Sequence, residues 1–133
     1  MANVMETPIS LSVPAETGYV HVVRSVTAGV AARLAIGFDD VDDLRIAVTE
    51  ACARLLSLGT AGRRLVIGLS PADDGLTVAI EIDAELAAWP FEGSRETLAW
   101  QVISGLVDEA SEELRDGRPT IVLTKRTVSP DPR

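Results

Sequence analysis

Glu50 and Arg54 stand one helical turn apart in the stretch VDDLRIAVTEACARLLSL, residues 41–58, and they are the pair in this chain best placed to do chemistry. At ~100° per residue Val41, Leu44, Ala47, Val48, Ala51, Leu55 and Leu58 fall on one stripe, so the stretch reads as an amphipathic helix. Asp39 and Asp40 are N-cap candidates, Asp42 and Asp43 load the first turn with charge that suits the helix dipole, and Gly59 closes the helix. Glu50 and Arg54 sit at the edge of the stripe, beside Ala47 and Leu58. The spacing leaves two readings open. One is an i,i+4 ion pair on a partly wet flank, worth a few tenths of a kcal/mol. The other is that Glu50 borders a pocket.

Composition narrows the surroundings. A chain of 133 residues is the length of one ordinary domain, 1–133 with an ordered core about 8–127, and 47% apolar content with few aromatics implies a core of Ala, Val, Leu and Ile. Twenty acidic against 12 basic side chains leave a net charge of -8, which opposes direct contact with nucleic acid or anionic membrane and favours basic protein surfaces. Cys52 is the only cysteine and His21 the only histidine, so an intrachain disulfide and the usual Cys/His metal sites are excluded and no metal site is expected. Cys52 reads as a small packed side chain and His21 as a surface or boundary residue of the first helix. No apolar run approaches transmembrane length, and MANVMETPIS lacks the basic start and apolar core of a signal peptide, so the expectation is a cytoplasmic protein.

The elements that must position the pair follow in order. Ile9, Leu11 and Val13 alternate with serines, a strand stopped by Pro14. Thr17 can cap a helix running to about Ile36, closed by Gly37. After the stretch 41–58 come Thr60 to Gly62, a strand through Leu65, Ile67 and Leu69, a five-residue turn Pro71 to Gly75, and a strand from Leu76 to Ile82. Residues 83–93 read as a loop. Ser94 can cap a third helix whose stripe runs from Ala99 through Ile103, Val107 and Ala110 to Leu114. A break at Asp116 to Pro119 precedes a last strand, Thr120 to Lys125, and the tail SPDPR reads as loose. The order β, α, α, β, β, α, β predicts an α+β two-layer sandwich, a mixed sheet with helices on one face.

The helix DLRIAVTEACARLL, the hairpin with an acidic residue at its end, a helix ending VDEA and the terminal TIVLTKR resemble the anti-sigma factor serine kinases of the RsbW type, from about Val13 to Lys125. These belong to the GHKL superfamily of histidine kinase-like ATPases, whose Bergerat fold binds ATP against a sheet. The resemblance implies a general base at Glu50, an adenine contact at Asp83, nucleotide contact at Thr124 and partner contact at Arg24, which matches in its spacing from Glu50. From the residues alone Asp83 is equally a strand-end turn residue, Arg24 a solvated helix charge, and Thr124 and Lys125 the edge of the last strand.

Where the family has an asparagine that ligates the magnesium of ATP, this chain has Arg54, whose guanidinium has donors only and a permanent positive charge. Glu85 and Ala87 replace the glycines after Asp83, and Thr97, Leu98 and Ala99 replace those opening the third helix. ATP and Mg2+ are therefore the cofactors the family implies, with the phosphate-binding parts altered and the scaffold pattern kept.

Three functions are compatible with this pattern. The first is an anti-sigma factor that sequesters a sigma factor as a homodimer, exchanges it with an anti-sigma factor antagonist and has little or no kinase activity. The second is an ATP-dependent serine kinase of that antagonist, with Arg54 on phosphate directly. The third is an α+β domain that binds another ligand or serves assembly.

Overall fold

The computed structural model describes residues 7–59 and 62–127. The expectations for the N-terminal start, for Thr60 and Ala61 and for the tail after 127 lie outside the described residues.

Alternation of apolar and serine residues makes β1, Ile9–Pro14, and Pro14 ends it. A 3-10 turn, Thr17–Tyr19, leads into α1, Val20–Ala32, so Thr17 opens that turn rather than capping the helix, and the helix stops short of Ile36. The second helix, α2, is Phe38–Leu56, with Gly37 as its N-cap residue and Asp39 and Asp40 in its first turn instead of at the cap. The strands β2, Arg64–Ala72, and β3, Gly75–Ile82, pair out to Ala72 and Gly75, leaving a two-residue loop where five residues were expected. Gly75 is held at φ 156°, where an added Cβ would stand 2.8 Å from the Cα of Arg126, so the close approach of β5 requires glycine there. A loop with a cis Trp89–Pro90 bond and a 3-10 turn, Ser94–Glu96, precede α3, Leu98–Leu106.

The third stripe does not continue as helix. The chain leaves α3 at Val107 and forms β4, Glu109–Arg115, then β5, Arg118–Arg126. Ala110 and Leu114 suit a helical stripe, yet with Glu112 between them they equally share one face of a strand. Asp116 at φ 52° and Gly117 at φ 77° form the tight two-residue turn that joins β4 to β5. The added strand changes the sheet: its order is β1-β2-β3-β5-β4 and every pairing is antiparallel, so it is not mixed.

The helices lie on one face, α1 over β2, α2 over β3 and β5, and α3 beside β4. Leu44, Ala47, Val48, Ala51, Cys52 and Leu55 of α2 are completely buried against Leu65, Ile67, Val78, Ile80, Ile121 and Leu123 of the sheet. Burying each such leucine or isoleucine contributes about 1.5–3 kcal/mol, so α2 is fixed in rotation by its apolar face. Val66, Ala79 and Val122 form a separate small cluster on the reverse of the sheet.

Candidate functional site

With α2 fixed, Arg54 is turned toward α3 and Glu50 toward α1. The expected Glu50–Arg54 pair does not form. Arg54 Nη2 and Nε reach Glu112 Oε2 on β4 at 3.0 and 3.2 Å, Nη1 donates to Thr97 Oγ1 at 3.0 Å, and Nη2 donates to the carbonyl of Ser94 at 3.1 Å and also touches its hydroxyl. Ser94 Oγ donates to Glu112 Oε1 at 2.8 Å, which occupies the second carboxylate oxygen. The guanidinium lies 5.3 Å from the centre of the Trp100 ring, a cation–π distance. The Arg54 side chain is 13% exposed and that of Glu112 not at all, so this is a largely buried ion pair in which all three guanidinium nitrogens and both carboxylate oxygens are hydrogen-bonded.

Local structure prepares each member. Thr97 is the N-cap of α3 and accepts the Trp100 N–H at 3.2 Å while donating to Ser94 O at 2.9 Å, so the turn before α3 and the first turn of the helix are locked together. Glu112 occupies a strand position paired with Ile121 and faces the helices, where a strand ordinarily carries an apolar residue. Lys125 makes the second tie on this side: its Nζ donates to Leu106 O at 2.9 Å, at the C-terminal end of α3, and stands 3.4 Å from Asp40 and 3.9 Å from Asp43 of α2. Arg54 thus holds one end of α3 and Lys125 the other, and α2 and α3 run antiparallel.

Glu50 is half-buried and has no hydrogen-bond or ion-pair partner among the described residues. It lines a hollow of about 370 Å³ with Arg24, Asp42, Arg45, Ile46 and Thr49. A second hollow of about 570 Å³ shares Arg24 and Thr49 and continues between α1 and α2 past His21, Ala53 and Ser57. Glu50 therefore does border a pocket, and Arg24, whose Nη2 lies 3.4 Å from Nδ1 of the exposed His21, borders the same one.

The remaining sequence candidates lie elsewhere. Asp83 Oδ1 accepts the Arg64 N–H at 2.8 Å and its own N–H donates to Arg64 O at 3.1 Å, closing the end of the β2–β3 hairpin. Thr124 alternates with Leu123 and Lys125 and points to the reverse of the sheet, where its hydroxyl is 3.4 Å from that of Thr77. The structure brings Glu50 to Arg24 and Arg54 to Glu112, and leaves Asp83 and Thr124 apart from both. Glu112 and Trp100 were not singled out from sequence; Ser94 was expected to cap α3, but it opens the 3-10 turn and Thr97 is the cap. The Asp116-Gly117 hairpin signal was the cue that could have placed Glu112 on a strand.

The residues do not fit magnesium-bound nucleotide. Where the resemblance expects a magnesium ligand stands a cation without lone pairs, with all three of its nitrogens hydrogen-bonded, backed by a carboxylate that would repel phosphate.

An antiparallel five-stranded sheet covered on one face by three helices, the middle one carrying Glu50 and Arg54, defines an α+β domain of the Bergerat kind. The family model described as a histidine kinase-like ATPase domain matches residues 13–125, and the chain belongs to that family. Among curated proteins it is similar to the serine-protein kinase RsbW of Bacillus velezensis, 50% identical over 44 residues, which is 33% of this chain and 28% of that protein. It is also similar to the RsbW of Bacillus thuringiensis, 40% identical over 48 residues, 36% of this chain and 30% of that protein. The matched stretch therefore spans less than a third of either relative. Among solved structures it resembles that of the RsbU and RsbW domains of Rv1364c from Mycobacterium tuberculosis, with a TM-score of 0.64 and 18% identity, covering 89% of this chain and 31% of that one. That likeness is one of fold.

Proposed function

We propose that this chain is an anti-sigma factor that works without nucleotide: it sequesters a sigma factor in the cytoplasm, acts as a homodimer, and releases its cargo when an anti-sigma factor antagonist takes its place. The observation that carries the reading is the buried Arg54–Glu112 pair: if Arg54 matches the family's magnesium ligand, as the resemblance implies, the chain's own charges fill the place of magnesium and phosphate. The trough between α1 and α2, lined by both Arg24 and Glu50 and with Ile46 exposed, supports protein contact on that face. The net charge of -8 suits a basic, nucleic-acid-reading surface on the partner.

Two measurements test it. The purified protein should retain one sigma factor of its own organism without added nucleotide, and Arg24→Glu should weaken that retention; failure to retain any of them counts against the proposal. Calorimetric titration with ATP, with and without Mg2+, should give no binding heat. Binding in the micromolar range would favour the kinase of an antagonist instead. One observation speaks for that second reading: the Glu50 carboxylate is unpaired beside an open hollow, as a general base must be. In that case Glu50→Gln abolishes phosphate transfer.

A further inference from the structure

The sequence of α3, LAWQVISGL, contains no charged residue, in a chain of which 24% is charged. Trp100 and Ile103 point inward and are buried. At ~100° per residue Leu98, Val102 and Gly105 share the opposite stripe, and the two side chains are 76% and 40% exposed. Phe91, in the loop leading to this helix, is 58% exposed and lines a hollow of about 210 Å³ with Pro90, Gly93, Ser94, Arg95 and Glu96. Single exposed apolar residues are ordinary, but an uncharged apolar stripe beside a hollow marks a binding surface.

Charge identifies what fits. Glu92, Glu96 and Asp108 bracket the stripe in sequence, with Arg95 as the one base among them. At this stripe a second copy would bring the same acidic flanks together, so the proposed homodimer forms through another face, whereas a basic partner meets no such repulsion here. The small residues Ser104 and Gly105 let another helix approach α3 closely, and nine residues give ~13 Å of seat, about two and a half turns.

We propose that this stripe docks an amphipathic helix of a partner protein, one with apolar residues along its seam and lysine or arginine beside them, and that Arg54 is the positioning residue that keeps the surface formed. Arg54 holds Ser94 and Thr97 from beneath and lies over Trp100, so the turn and the helix start that carry Leu98 are tethered by the chain itself. The proposal goes beyond the preceding one, and its test does not depend on the partner being a sigma factor.

The probe is a fluorescent Leu/Lys amphipathic helical peptide about five turns long, with a Leu/Glu peptide of the same pattern as control, titrated with the full chain and followed by anisotropy. The Leu/Lys peptide should bind saturably and the Leu/Glu peptide should not. Leu98→Asp and Val102→Asp should each weaken binding at least about tenfold, the measure of one lost apolar contact. Each adds a negative charge, which would strengthen a merely electrostatic attraction, so the loss is specific to docking. Leu114→Asp, exposed on β4, adds the same charge and should leave the affinity unchanged or tighter. The double change Arg54→Met with Glu112→Leu, which keeps the interior packed, should weaken binding several-fold with the circular dichroism of the fold intact. Unaltered affinity in Leu98→Asp, equal binding of both peptides, or no binding of the Leu/Lys peptide overturns the proposal.

Discussion

Arg54 on α2 and Glu112 on β4 are 58 positions apart in sequence and 3.0 Å apart in space, and each satisfies the other's charge, Glu112 wholly and Arg54 largely shielded from water. The pair joins the middle helix to the sheet's edge strand and, through Ser94 and Thr97, to the start of α3.

Removing one member of a buried pair leaves an uncompensated charge, whereas removing both does not. Arg54→Met or Glu112→Leu alone should destabilise by about 3–5 kcal/mol in urea unfolding. The double variant should come within about 1.5 kcal/mol of the wild type, as volume-conserving core changes do. Additive losses in the cycle would show that the two side chains act independently.

Cys52 is completely buried on α2, and burial pushes its thiol up to about 12. The thiolate is the reactive form, so the native protein should not react with a disulfide reagent at about pH 8, and the thiol should titrate fully once the chain is unfolded. Rapid labelling under native conditions would mean that α2 opens from the sheet.

Asp83 distinguishes a structural role from a ligand contact. Its carboxylate receives the Arg64 N–H at the hairpin end, a bond an asparagine carbonyl can also accept. Asp83→Asn should therefore be nearly neutral in thermal unfolding, while Asp83→Ala should cost about 1–2 kcal/mol. Equal losses in both variants would assign the effect to the charge instead of the hydrogen bond.

The helix that carries the site was legible because six apolar positions of α2, Val41 to Leu55, repeat with helical period, although Leu58 of the same stripe falls in the turn beyond its end, and β2 and β3 were legible from alternation and the turn between them. The ion pair was not legible. Sequence spacing offered Arg54 a partner four residues away, but the burial of α2 directs Glu50 into the α1 trough and Arg54 toward α3. Glu112 was hidden for a second reason. It breaks the apolar pattern of β4 at a position facing the helices, so Ala110 and Leu114 looked more like a helical stripe than an interrupted strand. A locally unfavourable residue made acceptable by a distant one is the signature of a specialised site, and it cannot be read from a window of one sequence. Thr124 shows the converse: alternation along β5 already placed it opposite Leu123 and Lys125, on the face away from Arg54.

Glu81 sits on β3 facing the reverse of the sheet, its side chain 5% exposed, with Oε2 3.5 Å from Arg118 Nη1, an ion contact without a hydrogen bond to that oxygen. Burial raises its pKa above the ordinary 4.5; Arg118 and Arg115 pull it down and Asp83 pushes it up, but burial prevails. Between 4.5 and the raised folded value, the folded protein keeps a proton that the unfolded chain has released, so stability falls as pH rises through that window and the loss persists above it. Glu81→Gln removes the charge that burial penalises while retaining an acceptor for Arg118. The variant should match the wild type in urea midpoint at about pH 4 and exceed it at about pH 7. A variant less stable than the wild type at pH 7 would mean that the Arg118 contact outweighs the cost of burying the carboxylate, reversing the order of the two effects.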